Sequence, residues 1–151
     1  VAVWDFNGTI KLSKAAASTF VTALKSSPAI INDKYKVNKE NTFEVPCMVF
    51  SDIDEGTIDL LSIDIEGSEW YVIKHLKSRP LIISVETHGK YYTNPFINEI
   101  KNWMMRENYI TWYKDGSDTV FVRKNIFLPN INDKIQTRRT EWKLLWKNLF
   151  S

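Results

Sequence analysis

The segment from Ile58 to Ile65 constrains the fold more than any other part of the chain. It reads IDLLSIDI, and its apolar residues occupy both parities: Ile58, Leu60, Leu61, Ile63 and Ile65. A strand with one face in solvent alternates apolar and polar residues, whereas a strand covered on both faces is apolar throughout. The segment therefore predicts a buried strand in the middle of a parallel sheet.

A helix and a second buried strand follow this segment. Trp70, Ile73 and Leu76 recur at helical spacing after Ser68, which is a residue type that caps helices. The helix has to end before Pro80, where PLIISVET (80–87) begins another strand that is apolar on both faces. The order strand, helix, strand predicts two neighbouring parallel strands.

The remaining elements complete an α/β pattern. Residues 94–108 predict a helix with Asn94 at its N-cap, residues 109–124 predict a hairpin around Gly116, and residues 140–150 predict an amphipathic helix. Near the N-terminus, Val1–Phe6 reads as a strand that turns at Asn7-Gly8 into a second arm, Thr9–Leu12. We expect an open sheet that is parallel in the middle and antiparallel at one edge, with residues 1–124 as the domain and 125–151 as a C-terminal extension.

Composition narrows the classes of partner. The 20 basic and 18 acidic residues give a net charge of +2, which offers no reason to expect nucleic acid. The single cysteine, Cys47, excludes an internal disulfide and a cysteine-built zinc site, and we expect it to be a buried small hydrophobe. No apolar run approaches the roughly 20 residues of a membrane span. The sequence predicts a soluble, cytoplasmic protein that does not contact a membrane.

Polar side chains follow both buried strands at their carboxyl ends. Asp64 and Glu66 come after the first strand, and Glu86 and His88 come at the end of the second. Ligands of open α/β sheets bind beyond this edge, so these four side chains are the candidate site. Carboxylates there could accept hydrogen bonds from a ligand's hydroxyl or ammonium groups, or raise the basicity of His88. Gly67 permits the sharp exit from the strand.

Structural explanations compete with the functional ones. Glu69 lies in a helix first turn, where an acid is favoured by the helix dipole alone, and we expect a structural role for it. Asp64 could merely cap Gly67 or Ser68, and His75 in mid-helix is expected to be a surface or packed residue. The sequence predicts no metal site.

The stretch IDLLSIDIEGSEWYVIKHL, followed by RPLIISVETH, resembles the FkbM-type methyltransferases that use S-adenosylmethionine. The likeness covers about residues 1–124, and its Asp-x-Glu-Gly-x-Glu core is the specific part. The resemblance implies a Rossmann-like sheet and methyl transfer to a hydroxyl of a sugar or small metabolite. It places Asp64 and Glu66 near the cofactor's methionine end or the acceptor. Glu86 and His88 fall on the acceptor side, where either is the candidate base, although these residues could mainly position the reactants.

Two features of the family are missing. None of the five glycines forms the Gly-rich loop that follows the first strand in such enzymes, and no acid-ended second strand is present. We therefore expect the chain to be the C-terminal part of such a domain, lacking the cofactor-loop portion, and a truncated or inactive fragment is an alternative to the active enzyme.

Three alternatives stay open at this point. VAVWDFNGT resembles the first motif of haloacid-dehalogenase phosphatases, with Asp5 as nucleophile but Asn7 where the second acid belongs. A non-enzymatic binding or assembly module is the second alternative, and the aromatic C-terminal helix with Trp142 and Trp146 could pack on the domain or form a homodimer. The third is a metal-dependent glycosyltransferase that uses Asp64 and Glu66, although two acids at this spacing are weak evidence.

Overall fold

The computed structural model describes residues 1–15 and 18–149, without the side chains of residues 147–149. The described residues form a mixed α/β structure with two four-stranded sheets. The strands are β1 (Ala2–Val3), β2 (Gly8–Ala15), β3 (Ser18–Val21), β4 (Thr42–Met48), β5 (Leu60–Ile63), β6 (Ile82–Glu86), β7 (Tyr109–Lys114) and β8 (Asp118–Arg123). The α-helices are α1 (Pro28–Ile31), α2 (Glu69–Lys74), α3 (Ile97–Arg106) and α4 (Ile131–Leu149), with 3₁₀ turns at Lys39–Asn41 and Phe50–Asp52.

The first sheet has the order β1-β4-β2-β3, which corrects the hairpin predicted at Asn7-Gly8. β1 pairs in parallel with β4, and β2 pairs antiparallel with both β4 and β3. Neither Asn7 nor Gly8 has a positive φ. The Asn7 side chain instead donates to Asp52 and accepts from the Val49 backbone. It therefore links the segment between β1 and β2 to the segment after β4 and does not form a tight turn.

The second sheet has the order β5-β6-β8-β7. β5 and β6 are parallel and pair residue by residue from Leu60 with Ile82 to Ile63 with Val85. β7 and β8 form the predicted antiparallel hairpin at the sheet edge. The α/β class is therefore confirmed. The predicted single Rossmann-like sheet is not, because the described strands divide into two mixed sheets, each with one parallel pair. The prediction of a buried strand in the middle of the sheet is wrong for β5, which is the outermost strand of the described sheet and has Leu60 63% exposed.

The main core lies between the second sheet and helices α2 and α3. The apolar stripe of α3 supplies Ile100, Trp103 and Met104, and α2 supplies Val72 and Ile73; all are buried against the strands. Asn94 begins the turn ahead of α3 and its side-chain oxygen accepts from the Phe96 backbone, although Phe96 occupies the N-cap position. The core fixes α2 and α3 on the sheet and with them the loops at its carboxyl edge.

The C-terminal helix is longer than the sequence pattern predicted. α4 begins at Ile131, nine residues before the predicted start at residue 140, and it packs on β7, where the Thr137 hydroxyl donates to the Trp112 carbonyl. The predicted aromatic face is largely in solvent, since Trp142 is 65% exposed and Trp146 is 58% exposed. Phe150, the last residue of the predicted helix, lies outside the described residues.

Two predictions from composition have outcomes in the structure. Cys47 is 4% exposed in β4, which confirms that it is a buried small residue. Within residues 1–15 and 18–149, no helix has both the length and the apolar character that crossing a membrane requires.

Candidate active site

The carboxylates of Asp64 and Glu86 meet at the carboxyl edge of the second sheet. Ile63 pairs with Val85, so the next residues along the two parallel strands emerge side by side. Asp64, Glu86 and Glu69 each offer a carboxylate oxygen, and these three atoms lie within 4.8 Å of one another. The structure thus brings together two of the four predicted site residues and adds Glu69, for which the sequence predicted only a structural role.

A left-handed turn connects β5 to α2. Glu66 has φ of 58° and Gly67 has φ of 101°, a pair of conformations that only glycine adopts without strain. A side chain on Gly67 would lie 3.0 Å from the Ser26 carbonyl oxygen and 3.1 Å from the Tyr92 hydroxyl. The strained backbone at Glu66 is typical of functional sites, because the surrounding fold has to hold it in place.

The Glu69 carboxylate organises this turn from the inside. It is fully buried and accepts from the backbone amides of Ile65 at 3.1 Å and Gly67 at 3.0 Å. Its other oxygen accepts from the Asn94 side-chain amide. The helix-dipole explanation predicted from the sequence is therefore incomplete, since Glu69 also satisfies the amides of the loop that carries Asp64 and Glu66.

The electrostatic environment disfavours ionised carboxylates at this edge. Burial, then the charges of Asp64, Glu69 and Glu66, raise the pKa of Glu86 to about 8. Burial likewise raises the pKa of Glu66 and of Glu69, and it raises the pKa of the Tyr92 hydroxyl together with the charges of the neighbouring glutamates. Among the side chains that the structure describes, no basic residue forms an ion pair with any of these acids.

A cavity of about 480 Å³ opens beside Asp64 and Glu66, within the roughly 300–1,000 Å³ of typical small-molecule sites. Its walls come mostly from apolar residues of the first sheet, including Val3, Leu12 and Phe20. One carboxylate oxygen of Glu66, Oε2, is buried and has no hydrogen-bond partner among the described residues. An apolar wall facing two acids suits a ligand with an apolar body and an ammonium or hydroxyl group.

His88 lies apart from this cavity. Its ring is 4% exposed, with Nε2 2.8 Å from the Asp115 carbonyl oxygen and Nδ1 2.7 Å from the Thr87 hydroxyl. Because a carbonyl only accepts, Nε2 donates to it and Nδ1 accepts from the hydroxyl. Burial lowers the pKa of His88. The ring lines a second cavity, of about 330 Å³, together with Tyr92 and Lys114.

Asp5 is part of a surface ion cluster rather than a nucleophile's pocket. Its Oδ1 accepts from Lys74 Nζ at 2.6 Å and lies 2.8 Å from His75 Nε2. Hydrogen bonds from Lys74 and then from His75 lower the pKa of Asp5. This arrangement explains both Asp5 and His75 structurally, and neither the phosphatase nor the binding-module alternative gains support.

The sequence interpretation missed one residue of this edge. Tyr92 is 1% exposed, and its hydroxyl has no hydrogen-bond partner in the described residues. It lies in the loop between β6 and α3, where Gly-Lys-Tyr-Tyr-Thr has no periodicity that would mark one tyrosine as buried. Only the proximity of this loop to the carboxyl end of β6 could have indicated it.

A comparison with models of protein families identifies the family of the chain. The model described as the methyltransferase FkbM domain matches residues 5–111, well over half of the chain, and this range contains Asp64, Glu66, Glu86 and His88. No curated protein and no solved structure matches the chain significantly. The resemblance seen in the sequence is confirmed, and the chain belongs to the FkbM methyltransferase family.

Proposed function

We propose that the protein is a methyltransferase that uses S-adenosylmethionine and methylates a hydroxyl of a sugar or small metabolite. Family membership supports methyl transfer in general. The observation that carries the finer proposal is the convergence of the Asp64 and Glu86 carboxylates beside a cavity with apolar walls. Such an edge offers one acid to the methyl donor and another to a hydroxyl acceptor.

Asp64 and Glu66 are the proposed cofactor-binding residues. When bound, S-adenosylmethionine supplies a methyl group on a positively charged sulfur. Both carboxylates line the cavity, and Oε2 of Glu66, which has no partner within residues 1–15 and 18–149, offers a hydrogen-bond acceptor to an ammonium group. Hydrogen bonds between ions are stronger than those between neutral groups. The left-handed turn at Glu66 and Gly67 therefore presents an acceptor that can make a strong hydrogen bond to the ammonium group of the cofactor.

Glu86 is the proposed residue on the acceptor side. Its carboxylate lies at the end of β6 within reach of Asp64, and its Oε2 is buried with no hydrogen-bond partner in the part of the chain that the structure describes. A hydroxyl that donates to this oxygen would be held in a fixed orientation for attack, which alone supplies a large part of the acceleration in group transfer. His88, with both ring nitrogens hydrogen-bonded, is proposed to hold the adjoining loop in position and not to take the proton.

Calorimetric titration with S-adenosylhomocysteine tests the cofactor site. We expect the wild-type chain to bind and Asp64→Asn to weaken binding about tenfold or more, because a charge-assisted hydrogen bond contributes roughly 1.5–3 kcal/mol. Asp59→Asn is the matched control, since Asp59 is exposed at the opposite end of the same strand. Absence of binding by the wild type, or equal affinities of the two variants, would contradict the proposal.

Turnover measurements on variants distinguish the proposed role of Glu86 from that of His88. With sugars and small polyols as acceptors, we expect Glu86→Gln to lower methyl transfer about 100-fold or more while cofactor affinity changes little. His88→Gln preserves a side-chain donor for the Asp115 carbonyl and is expected to retain most of the activity. A large loss of turnover in His88→Gln with normal folding would instead make His88 the base.

A further inference from the structure

The carboxyl edge of the second sheet carries Asp64, Glu66, Glu69 and Glu86, and we call it the acidic edge. Basic side chains among the described residues do not balance its negative charge. Asp64, Glu69 and Glu86 present oxygens within 4.8 Å of one another, and Glu66 lies in the same loop as Asp64. The described side chains include no lysine, arginine or histidine paired with any of the four. Like charges this close are stable only with a bound proton or a bound cation between them.

A second observation points to a ligand at the same place. The Tyr92 side chain is almost completely buried, and its hydroxyl has no hydrogen-bond partner in the part of the chain described. That hydroxyl is next to Gly67 and close enough to Glu69, Glu86 and Glu66 to feel their charges. Buried hydroxyls in folded proteins almost always have a partner, so this one requires a ligand or a water molecule between it and the acids.

We propose that Asp64, Glu69 and Glu86 bind a divalent metal cation of the Ca²⁺ or Mg²⁺ class, with the Tyr92 hydroxyl bonded to a water on that cation. The three side-chain ligands are carboxylate oxygens, which hard cations prefer, and no thiolate or imidazole takes part. The sequence alone predicted no metal at this edge. The inference goes beyond the proposed function because cation binding needs neither cofactor nor acceptor.

The spacing of the oxygens is compatible with such an ion. Two ligands on opposite sides of Ca²⁺ are about 4.6–5.2 Å apart, and on opposite sides of Mg²⁺ about 4.0–4.2 Å. Oxygens that all lie within 4.8 Å of one another are therefore close enough together to be ligands of one such ion. Glu69 is a rigid ligand already, because the amides of Ile65, Gly67 and Asn94 hold it in place.

Thermal unfolding in the absence of cofactor tests the proposal. The chain is first treated with a chelator, and CaCl2, MgCl2 or MnCl2 is then titrated while Tm is measured and binding heat is recorded. We expect at least one of the three salts to raise Tm by about 5 °C or more at saturation. Asp64→Asn should abolish the response; because Asp64 is exposed, this variant is expected to fold. Asp59→Asn, at the other end of β5, should keep the response.

Tyr92→Phe gives a second readout that does not remove a carboxylate. It should lower cation affinity several-fold without eliminating binding, since it removes only the bond to a cation-bound water. The proposal is overturned if no salt shifts Tm of the wild type, or if Asp64→Asn and Asp59→Asn respond equally.

The same samples distinguish this proposal from the proposed function. S-adenosylhomocysteine that binds chelated protein, with no response to any salt, would leave the cofactor site standing and remove the cation; the cofactor's own ammonium would then neutralise the acids. Cation binding without any binding of S-adenosylhomocysteine would support the cation site and contradict the proposed cofactor site.

Discussion

The side-chain amide of Asn94 donates to the buried carboxylate of Glu69, which joins the turn ahead of α3 to the first residue of α2. The same amide also approaches the Glu86 carbonyl, while the Asn94 oxygen accepts from the Phe96 backbone. One asparagine thus links the three segments that carry the acidic edge: the β5–α2 turn, the end of β6 and the start of α3.

Asn94→Ala should lower the free energy of unfolding by about 2–3 kcal/mol, because it leaves a buried carboxylate oxygen and a backbone amide without partners. Urea denaturation measures the change. Asn102→Ala is the control, since Asn102 is exposed on α3 and alanine is the better helix former, so its effect should stay within about 0.5 kcal/mol. Equal stabilities of the two variants would show that Asn94 does not hold the edge together.

Gly67→Ala should destabilise the protein by about 2 kcal/mol or more, through the positive φ and through contacts with the Ser26 carbonyl and the Tyr92 hydroxyl. Gly116→Ala is the matched change, because that glycine has no positive φ and no atom of the described residues lies within 4 Å of the added methyl group. Denaturation midpoints of the two variants are compared. A Gly67→Ala protein as stable as Gly116→Ala would mean that the turn relaxes at no cost.

The hydrogen bonds of Asp54 predict how the stability of the protein changes in acid. It is 2% exposed and accepts from the Gly56, Lys77 and Ser78 backbone amides and from the Ser78 hydroxyl. Burial on its own raises the pKa of Asp54, but the Ser78, Gly56 and Lys77 hydrogen bonds outweigh it, so the net pKa is lowered. The stability that Asp54 contributes is therefore complete above its unfolded pKa of about 3.9, and it is lost as the pH falls through the lower folded value.

Asp54→Asn should accordingly cost about 2 kcal/mol at neutral pH and less in acid, where the wild type loses the same contribution. Urea denaturation at a series of pH values measures the difference between the two proteins. Asp59→Asn, exposed and close in sequence, should show little change at any pH. A difference for Asp54→Asn that does not shrink in acid would contradict the role given to the ionised carboxylate.

The homodimer through the C-terminal helix stays a prediction. Trp142 and Leu145 of α4 are 65% and 57% exposed, so the face predicted to be apolar is available on the surface. We expect Trp142→Glu to reduce any concentration-dependent increase in sedimentation coefficient, because a charge in an apolar interface is unfavourable. Met105→Glu serves as the comparison, since Met105 is 70% exposed on a different helix. Sedimentation that does not depend on concentration for the wild type would exclude the dimer.

The β5–α2–β6 unit could be read from the sequence because its signals are local. Apolar residues on both parities marked both segments as strands, although only β6 has a strand on each side in the described sheet, and parallel pairing then required Asp64 and Glu86 to emerge at one edge. In the structure, Ile63 pairs with Val85, so the residues that follow the two strands lie side by side. The hairpin of β7 and β8 was predictable for a similar reason, because a glycine turn joins two adjacent strands.

The first sheet and the inner part of the site could not be read in this way. The turn expected at Asn7-Gly8 depended on a dipeptide preference, but the Asn7 side chain has partners at Val49 and Asp52, which are more than forty residues away. The pairing of β1 with β4 is equally distant in sequence. The positions of Glu69 and Tyr92 depend on burial by loops from different segments, and no periodic pattern in the sequence reports such burial.

The cavity has its apolar wall on one sheet and its acids on the loop that leaves the other. A molecule bound there would contact both sheets at once. Occupancy should therefore slow backbone hydrogen exchange in β2 and β3 as well as in β5 and β6, so that the two sheets open as a single cooperative unit.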